Sequence, residues 1–410
     1  MVGLAGATQE EVRRHNLAAV LSLVHTRGAL SRAELTGELG VNRSTIRALV
    51  AELAAAGLVR EELPVAGRSA AGRPSHLVVP ESRRVTVLAV EVGVDHLTVA
   101  RVGLGGLVLD RRDLAHERGG HTLDAVVDVV ARLCAELGPD GPSVPSDVAV
   151  AAIGVGVPGV VRSSDGLVRF APNLGWRDEP FGARLSVATG LPVRAGNDAD
   201  LGVLAEHSRG AAVGYDDVLY LAGEVGVGGG MIVGGRLLVG AGGYAGEVGH
   251  LRLSERGRRC RCGARGCWET EIGENALLVP AGRLPGGGLA AVREVIGAAR
   301  LGEPAASDAL TEVASWLGTG LGALVNVLNP AMVVLGGVLA EVFGAAEMTV
   351  RKALAESAID AAAEQVRLTL PALGADSVLL GAAELAFTDL LADPVPQPLV
   401  IKRPRPEPAT

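Results

Sequence analysis

Gly246-Glu247-Val248-Gly249-His250, followed by Cys260-Arg261-Cys262-Gly263-Ala264-Arg265-Gly266-Cys267-Trp268-Glu269, is the stretch that decides the reading of this chain. Of four cysteines in the whole sequence, three fall here, the first of them ten positions after His250. A His-Cys-Cys-Cys set is enough for a closed tetrahedral site, and soft thiolates with one imidazole match zinc. Glycines between the ligands let the loop fold tightly around one point. The Cys-x-Cys step is shorter than zinc-finger spacing, so the expectation is one structural zinc per chain in a loop, held by His250, Cys260, Cys262 and Cys267.

The same residues carry a resemblance. Glu-x-Gly-His followed by Cys-x-Cys-Gly-x-x-Gly-Cys-x-Glu resembles the ROK family of repressors, open reading frames and sugar kinases. The resemblance implies an α/β body of two lobes with the actin-like, ribonuclease-H-like fold of sugar kinases. It leaves open whether this chain follows the kinase branch or the repressor branch.

With 410 residues and 48% apolar composition, the chain can bury a sizeable core and hold two or three domains. No run reaches the roughly 18 uncharged apolar residues of a membrane span, and no basic-then-apolar leader opens the chain. The expected location is cytoplasmic, with no membrane partner, and there cysteines read better as metal ligands than as disulfides. The fourth cysteine, Cys134, sits in an apolar helical run and reads as inert core. Net charge is -8, yet residues 1–80 carry nine arginines against seven glutamates. A mildly basic head on an acidic body permits nucleic-acid binding by the head.

Residues 1–80 read as a winged helix-turn-helix. Thr8-Gln9-Glu10-Glu11 and Ser31-Arg32-Ala33-Glu34 both have capping-box spacing. Asn42 caps a third helix whose Ile46, Leu49, Val50 and Leu53 fall on one face. In this geometry the exposed first turn of the third helix reaches base edges and phosphates, which nominates Arg43, Ser44, Thr45 and Arg47. The alternative is a helical interaction module with surface arginines. Leu58-Val59-Arg60 and His76-Leu77-Val78-Val79 flank a loop as a wing would. Within it, Arg73 of Gly72-Arg73-Pro74 either enters a narrow minor groove or belongs to the linker.

Residues 81–392 form the body. Two strands within 85–102 turn near Gly93-Val94-Asp95-His96, a third follows near 107–109, then a helix over 124–137 and a buried strand over 148–157. Further strands are expected at 218–221 and 332–335, with helices over 309–328 and 378–391. Residues 393–410 hold six prolines and read as a disordered tail.

The resemblance supplies the binding residues position by position. Ala171-Pro172-Asn173-Leu174-Gly175-Trp176 matches the family's Pro-Asn-Leu-x-Trp loop, so Asn173 is implied as a sugar ligand. Gly196-Asn197-Asp198-Ala199-Asp200 matches its Asn-Asp-Ala motif, implying Asn197 as a hydroxyl ligand and Asp198 at the position of the catalytic base. Glu247, His250 and Glu269 complete the sugar set. Carboxylates and amides are the acceptors that distinguish one sugar hydroxyl pattern from another, and a metal loop beside them fixes their positions.

The phosphate-binding loops depart from the kinase pattern. Where kinases read Asp-x-Gly-Gly-Thr, this chain reads Glu91-Val92-Gly93-Val94-Asp95. Where kinases read Gly-Thr-Gly-x-Gly-Gly-Gly, it reads Glu224-Val225-Gly226-Val227-Gly228-Gly229-Gly230. Donors are lost and acid is gained where a polyanion would sit, and like charges about 4 Å apart repel by about 1 kcal/mol even in water. The segment from Asn329-Pro330 to Gly336-Gly337-Val338, on the adenosine side, is kept in part.

The resulting expectation is a regulator that binds a sugar effector without phosphorylating it. It would bind a palindromic double-stranded DNA operator as a homodimer or homotetramer. An active ATP-dependent sugar kinase with a DNA-binding head, a regulator tuned by a protein partner, and a zinc sensor are the rivals.

Overall fold

The computed structural model describes residues 8–63, 76–116, 118, 119, 122–139, 141–255, 257–394, 400 and 401. The head begins with α1 (Gln9–Arg27), β1 (Leu30–Ser31), α2 (Arg32–Leu39) and α3 (Arg43–Ala55), and ends with β2 (Val59–Glu62) and β3 (Leu77–Pro80). Both capping boxes form: Thr8 with Glu11 and Ser31 with Glu34 each exchange side-chain and backbone bonds. Each satisfies two donors that a helix start leaves orphaned. The Asn42 side chain accepts from the Thr45 N–H at 2.8 Å and starts α3. β3 pairs antiparallel with both β1 and β2. Arg73 lies outside the described residues.

Leu17, Val20, Leu21 and Val24 of α1 are buried, each contributing at most about 1.5–3 kcal/mol. Their cluster includes Ile46, Leu49 and Leu53 of α3 and continues without a break into the body's Leu379, Ala382 and Phe387. Head and body therefore share one apolar core.

The first lobe of the body runs β4 (Val85–Val92), β5 (His96–Gly103), β6 (Leu107–Ala115), α4 (Leu123–Leu137), β7 (Ala149–Val157), a ribbon of β8 (Val160–Arg162), β9 (Leu167–Ala171) and β10 (Trp176–Glu179), then α5 (Phe181–Thr189), β11 (Val193–Asn197) and α6 (Asp198–Arg209). Its sheet order is β11-β7-β4-β5-β6. β4, β5 and β6 are antiparallel neighbours, whereas β7 and β11 run parallel to β4.

The second lobe holds β12 (Val218–Gly223), β13 (Val227–Val233), β14 (Arg236–Leu237), α7 (Glu269–Ile272), α8 (Glu274–Leu278), α9 (Gly288–Arg300), α10 (Pro304–Leu328), β15 (Met332–Gly337), α11 (Val338–Ser357), α12 (Asp360–Gln365) and β16 (Arg367–Thr369). Its order, β14-β13-β12-β15-β16, repeats the first sheet's plan of three antiparallel strands followed by two parallel ones. This duplicated sheet, with helices on its faces, is the expected actin-like, ribonuclease-H-like architecture.

α13 (Ser377–Ala392) returns to the first lobe. Beyond it, β17 (Val400–Ile401) pairs antiparallel with the start of β7. Among the described residues the tail expected to be disordered thus makes one short sheet contact, because β7 begins before β11 does and its first residues have main-chain groups left to pair. Among the described residues no helix is long and apolar enough to cross a membrane.

Candidate functional site

A cavity of about 670 Å³ opens between the lobes. Asn173, Asn197, Asp198, Glu247, His250 and Glu269, the residues expected to bind sugar, all line it. Local chemistry places each. Asn173 sits in the turn between β9 and β10, where its Oδ1 accepts from Arg261 Nη1 of the opposite lobe. Asn197 is the N-cap of α6: its Oδ1 accepts from the N–H groups of Ala199 (2.8 Å) and Asp200 (3.3 Å), and its Nδ2 donates to the Gly159 carbonyl at 2.8 Å. Capping uses most of this amide, so one N–H remains for a ligand.

Asp198 follows at the first position of α6 and takes the Ala199 N–H at 2.8 Å. Burial pushes its pKa up to about 8, and Glu224, Glu91 and Glu247 add repulsion that the single N–H does not offset. At neutral pH this carboxyl holds its proton, which lets it donate to a ligand oxygen as well as accept. Asp200, one residue further, is buried, and its Oδ1 has no hydrogen-bond partner among the described residues. Burial, then the nearby Glu247, raises it to about 7. It appeared in the sequence only as part of a motif.

The metal-binding fit is direct. One ligand atom each from His250, Cys260, Cys262 and Cys267 lies within 4.8 Å of every other. Cys262 and Cys267 Sγ are 3.6 Å apart, and Cys260 Sγ is 3.7 Å from His250 Nδ1. A tetrahedron with metal–sulfur bonds of about 2.3 Å has edges of about 3.8 Å, so the set is already near that shape. This cluster could hold a metal ion. Glu269 Oε1 accepts from Cys260 Sγ at 2.7 Å and lies 3.6 Å from His250 Nδ1, while Glu247 Oε2 lies 3.6 Å from His250 Nε2. The two carboxylates therefore flank the cluster. Trp268, next to Cys267 and Glu269 in sequence, is fully buried, its Nε1 donating to the Trp316 carbonyl of α10 at 2.9 Å.

The two altered loops line the same cavity through Glu91, Val94, His96, Glu224 and Val225, and the charges there are paired among the protein's own side chains. The His96 imidazole lies over Gly93 so closely that a side-chain carbon at 93 would overlap it. Its Nε2 is 3.4 Å from Glu91 and its Nδ1 3.2 Å from Asp95. The Glu91 contact chiefly raises His96 to about 9, against burial, so the ring is cationic at neutral pH. Burial, then Glu91, raises the neighbouring Glu224 carboxyl. Arg118 joins Asp95 (3.0 Å) in the first lobe to the buried Glu274 (2.8 Å) in the second.

The retained glycines have a packing role as well. A side-chain carbon at Gly226 would come 2.9 Å from Glu269 Oε2, and one at Gly228 would come 3.0 Å from Ala199 Cβ. His96, Arg118 and Glu274 carry no motif; the substituted Val94, Asp95, Glu224 and Val225 were the signal that something other than phosphate belongs there.

On the head, Arg43, Ser44 and Arg47 are exposed and Thr45 is half-buried. Ser44 and Thr45 turn their hydroxyls back to Asn42 Oδ1 at 2.6 and 3.0 Å. Arg13, Arg27 and Arg32 are ion-paired to head glutamates. Arg43 and Arg47 have no ion pair among the described residues, which leaves two cations at the start of α3 free for an anionic partner.

Comparison with known proteins bears on both halves. The model of the ROK family matches residues 87–389. The xylose repressor of Bacillus subtilis (strain 168) is 28% identical over 391 residues, spanning 94% of this chain and 98% of its own. A crystal structure of a ROK family transcriptional regulator, a homologue of the E. coli MLC protein, superposes with a TM-score of 0.76 at 25% identity, covering 94% of this chain and 98% of that one. A ROK family glucokinase from Streptomyces griseus, solved with glucose and AMPPNP, reaches 0.63 at 30% identity, covering 74% of this chain and 99% of that one.

Proposed function

For a chain that belongs to the ROK family, we propose the role of a sugar-responsive transcriptional repressor that binds its effector between the lobes and does not phosphorylate it. The observation that carries this reading is the acid in the phosphate region, where Glu91 and Glu224 line the cavity and the nearby cations His96 and Arg118 are already paired with carboxylates, beside an intact set of polar cleft residues. An incoming polyphosphate would face Glu91 and Glu224, with His96 packed over Gly93 and Arg118 held between Asp95 and Glu274. Both cations there are already matched by carboxylates, so they offer a phosphate no net attraction. A sugar asks less. Asn173, Asn197, Asp198, Glu247, His250 and Glu269 would share its hydroxyls, each bond between buried partners adding about 0.5–1.5 kcal/mol.

A zinc ion held by His250, Cys260, Cys262 and Cys267 would be structural, tying down the loop that carries Glu269 and the turn that carries Glu247. The head would dock the first turn of α3, with Arg43, Ser44, Thr45 and Arg47, in the major groove, and Arg73 would lie near the adjacent backbone or minor groove. Two copies would read the half-sites of a palindromic operator one helical turn, or a multiple, apart. Likeness to regulators over nearly the whole chain, head included, supports this role; likeness to the glucokinase extends over the smaller share.

The xylose of one relative's name and the glucose bound by another make D-xylose and D-glucose the first sugars to test. Titration calorimetry with each sugar and with Mg-ATP should show a sugar binding and no nucleotide binding. ADP release that depends on sugar would overturn the proposal. It would favour the second reading, an ATP-dependent kinase with a DNA-binding head, for which the Asp198 carboxyl at about 8 is a suitable general base.

A further inference from the structure

A buried charged cluster joins the head to the body at the far end of the helix that begins in the cleft. His25, near the end of α1, is fully buried. Its Nδ1 accepts from the Gly105 N–H at 2.9 Å, and its Nε2 faces Glu384 Oε2 at 3.0 Å. Glu384 lies on α13, and its Oε1 accepts from Arg209 Nε at 2.6 Å. Arg209 Nη1 donates to the carbonyls of His25 and Gly105, both at 2.9 Å, while Nη2 lies 2.6 Å from His25 Nε2. The His25 ring also stands edge-on to Phe387 of α13, centroids 4.9 Å apart. Burial works to raise the Glu384 carboxyl, and His25 and Arg209 more than offset it, holding it below its ordinary value.

Arg209 is the last residue of α6, and Asp198 is the first. Asn197 and Asp198 line the cleft, so twelve residues of helix, about 18 Å, run from the ligand site to the head. The rod is also fixed along its length. Glu206, wholly buried, accepts from the N–H groups of Ala211 (2.7 Å), Ala372 (3.0 Å) and Leu373 (3.0 Å) and from Ser377 Oγ (2.8 Å), which locks α6 to the start of α13. A shift of the Asn197 cap on ligand binding therefore moves Arg209 as well.

We propose that Arg209, with Glu384, is a positioning residue that transmits the state of the cleft to the head: it grips the last turn of α1 through His25, and α6 carries the displacement. A rigid element that both sites bias is the physical requirement for such coupling, and the effect of one ligand on the other's affinity must be reciprocal. This inference rests on the sugar-responsive reading above.

The test compares wild type, R209Q and H25Q, as full-length chains, in two readouts. The first is the ratio of DNA affinities with and without D-xylose or D-glucose. The second is the change in amide hydrogen exchange over α1–α3 on adding the same sugar without DNA. Wild type should show a ratio on the order of 5–150, as coupled sites do. R209Q should bind sugar and DNA separately but give a ratio near one and no sugar-dependent exchange in the head. In H25Q the side-chain amide can still accept from Gly105 and donate to Glu384, so coupling should survive; this also separates the clamp from mere loss of stability. A folded R209Q that responds like wild type in both readouts overturns the inference alone. If R209Q does not fold, E384A takes its place: lost coupling at an unchanged melting temperature supports the clamp, and full coupling in a folded E384A overturns it. A wild type unaffected by either sugar contradicts the regulator reading itself.

Discussion

At the residue scale, the cleft concentrates acids that the folded chain holds above their ordinary values. Asp198 is the clearest. Its folded value is about 8 against an ordinary 3.8, chiefly through burial. Between those values the native state binds a proton that the unfolded chain has released, so stability falls as pH rises from 3.8 to about 8 and the full penalty persists above. D198N removes this term. Its melting temperature relative to wild type should climb through that window and level off beyond, while sugar affinity drops; a pH-independent difference would contradict the protonation assigned here. The metal loop gives a second prediction. C262S should lower the zinc content from about one ion per chain, measured by elemental analysis, and should weaken sugar binding along with it. Full sugar affinity in metal-free C262S would remove zinc from the account. The four residues that could hold a metal were legible because cysteine is rare in this chain and the spacing is tight. His96, Arg118 and Glu274 were not, because they meet only in three dimensions and come from the start of a strand, a loop and a helix. The contact between Arg261 and Asn173 was hidden for the same reason.

At the element scale, helix starts were the most readable features, since a cap is a local event: Thr8, Ser31 and Asn42 each accept the N–H bonds their spacing implied. The long apolar run over 148–157 and the two strands expected within 85–102 also emerged, as β7, β4 and β5. The ribbon of β8, β9 and β10 was not foreseen, because its strands are three to five residues long and carry no sustained period. Nor was the packing of α10 against the metal loop, where Gly320 abuts the indole of Trp268. A side chain there must push the ring aside. G320A should therefore cost about 1–3 kcal/mol, the usual range for overpacking, measured by denaturant unfolding, and should loosen the loop bearing Glu269. An unchanged midpoint would mean that α10 shifts freely and does not hold this loop. On the head, R43A and R47A should each reduce the salt dependence of DNA binding by about one counterion if the arginine meets a phosphate. A slope unchanged in both variants would remove the first turn of α3 from the backbone contacts.

At the scale of the whole molecule, a head whose Arg43 and Arg47 have no ion pair among the described residues shares a continuous core with a two-lobed body, and the body's cleft holds a set of polar donors and acceptors while the acids and cations of its altered loops pair with one another. The duplicated sheet plan was implied by the family resemblance and by strand order, but the joint between head and body was not, because it depends on the packing of α1 against α13 and α6. A repressor of this kind must bind DNA differently when its cleft is filled, and a sugar can shift that balance only through unequal affinity for the two states. The most direct measurement is fluorescence anisotropy of the full-length protein on DNA from its own upstream region, titrated with D-xylose and D-glucose at fixed salt. The account predicts tight, salt-sensitive binding whose affinity one sugar changes by about tenfold or more, within the usual range of coupling between sites. Binding that neither sugar alters, or no binding at low salt, would contradict it.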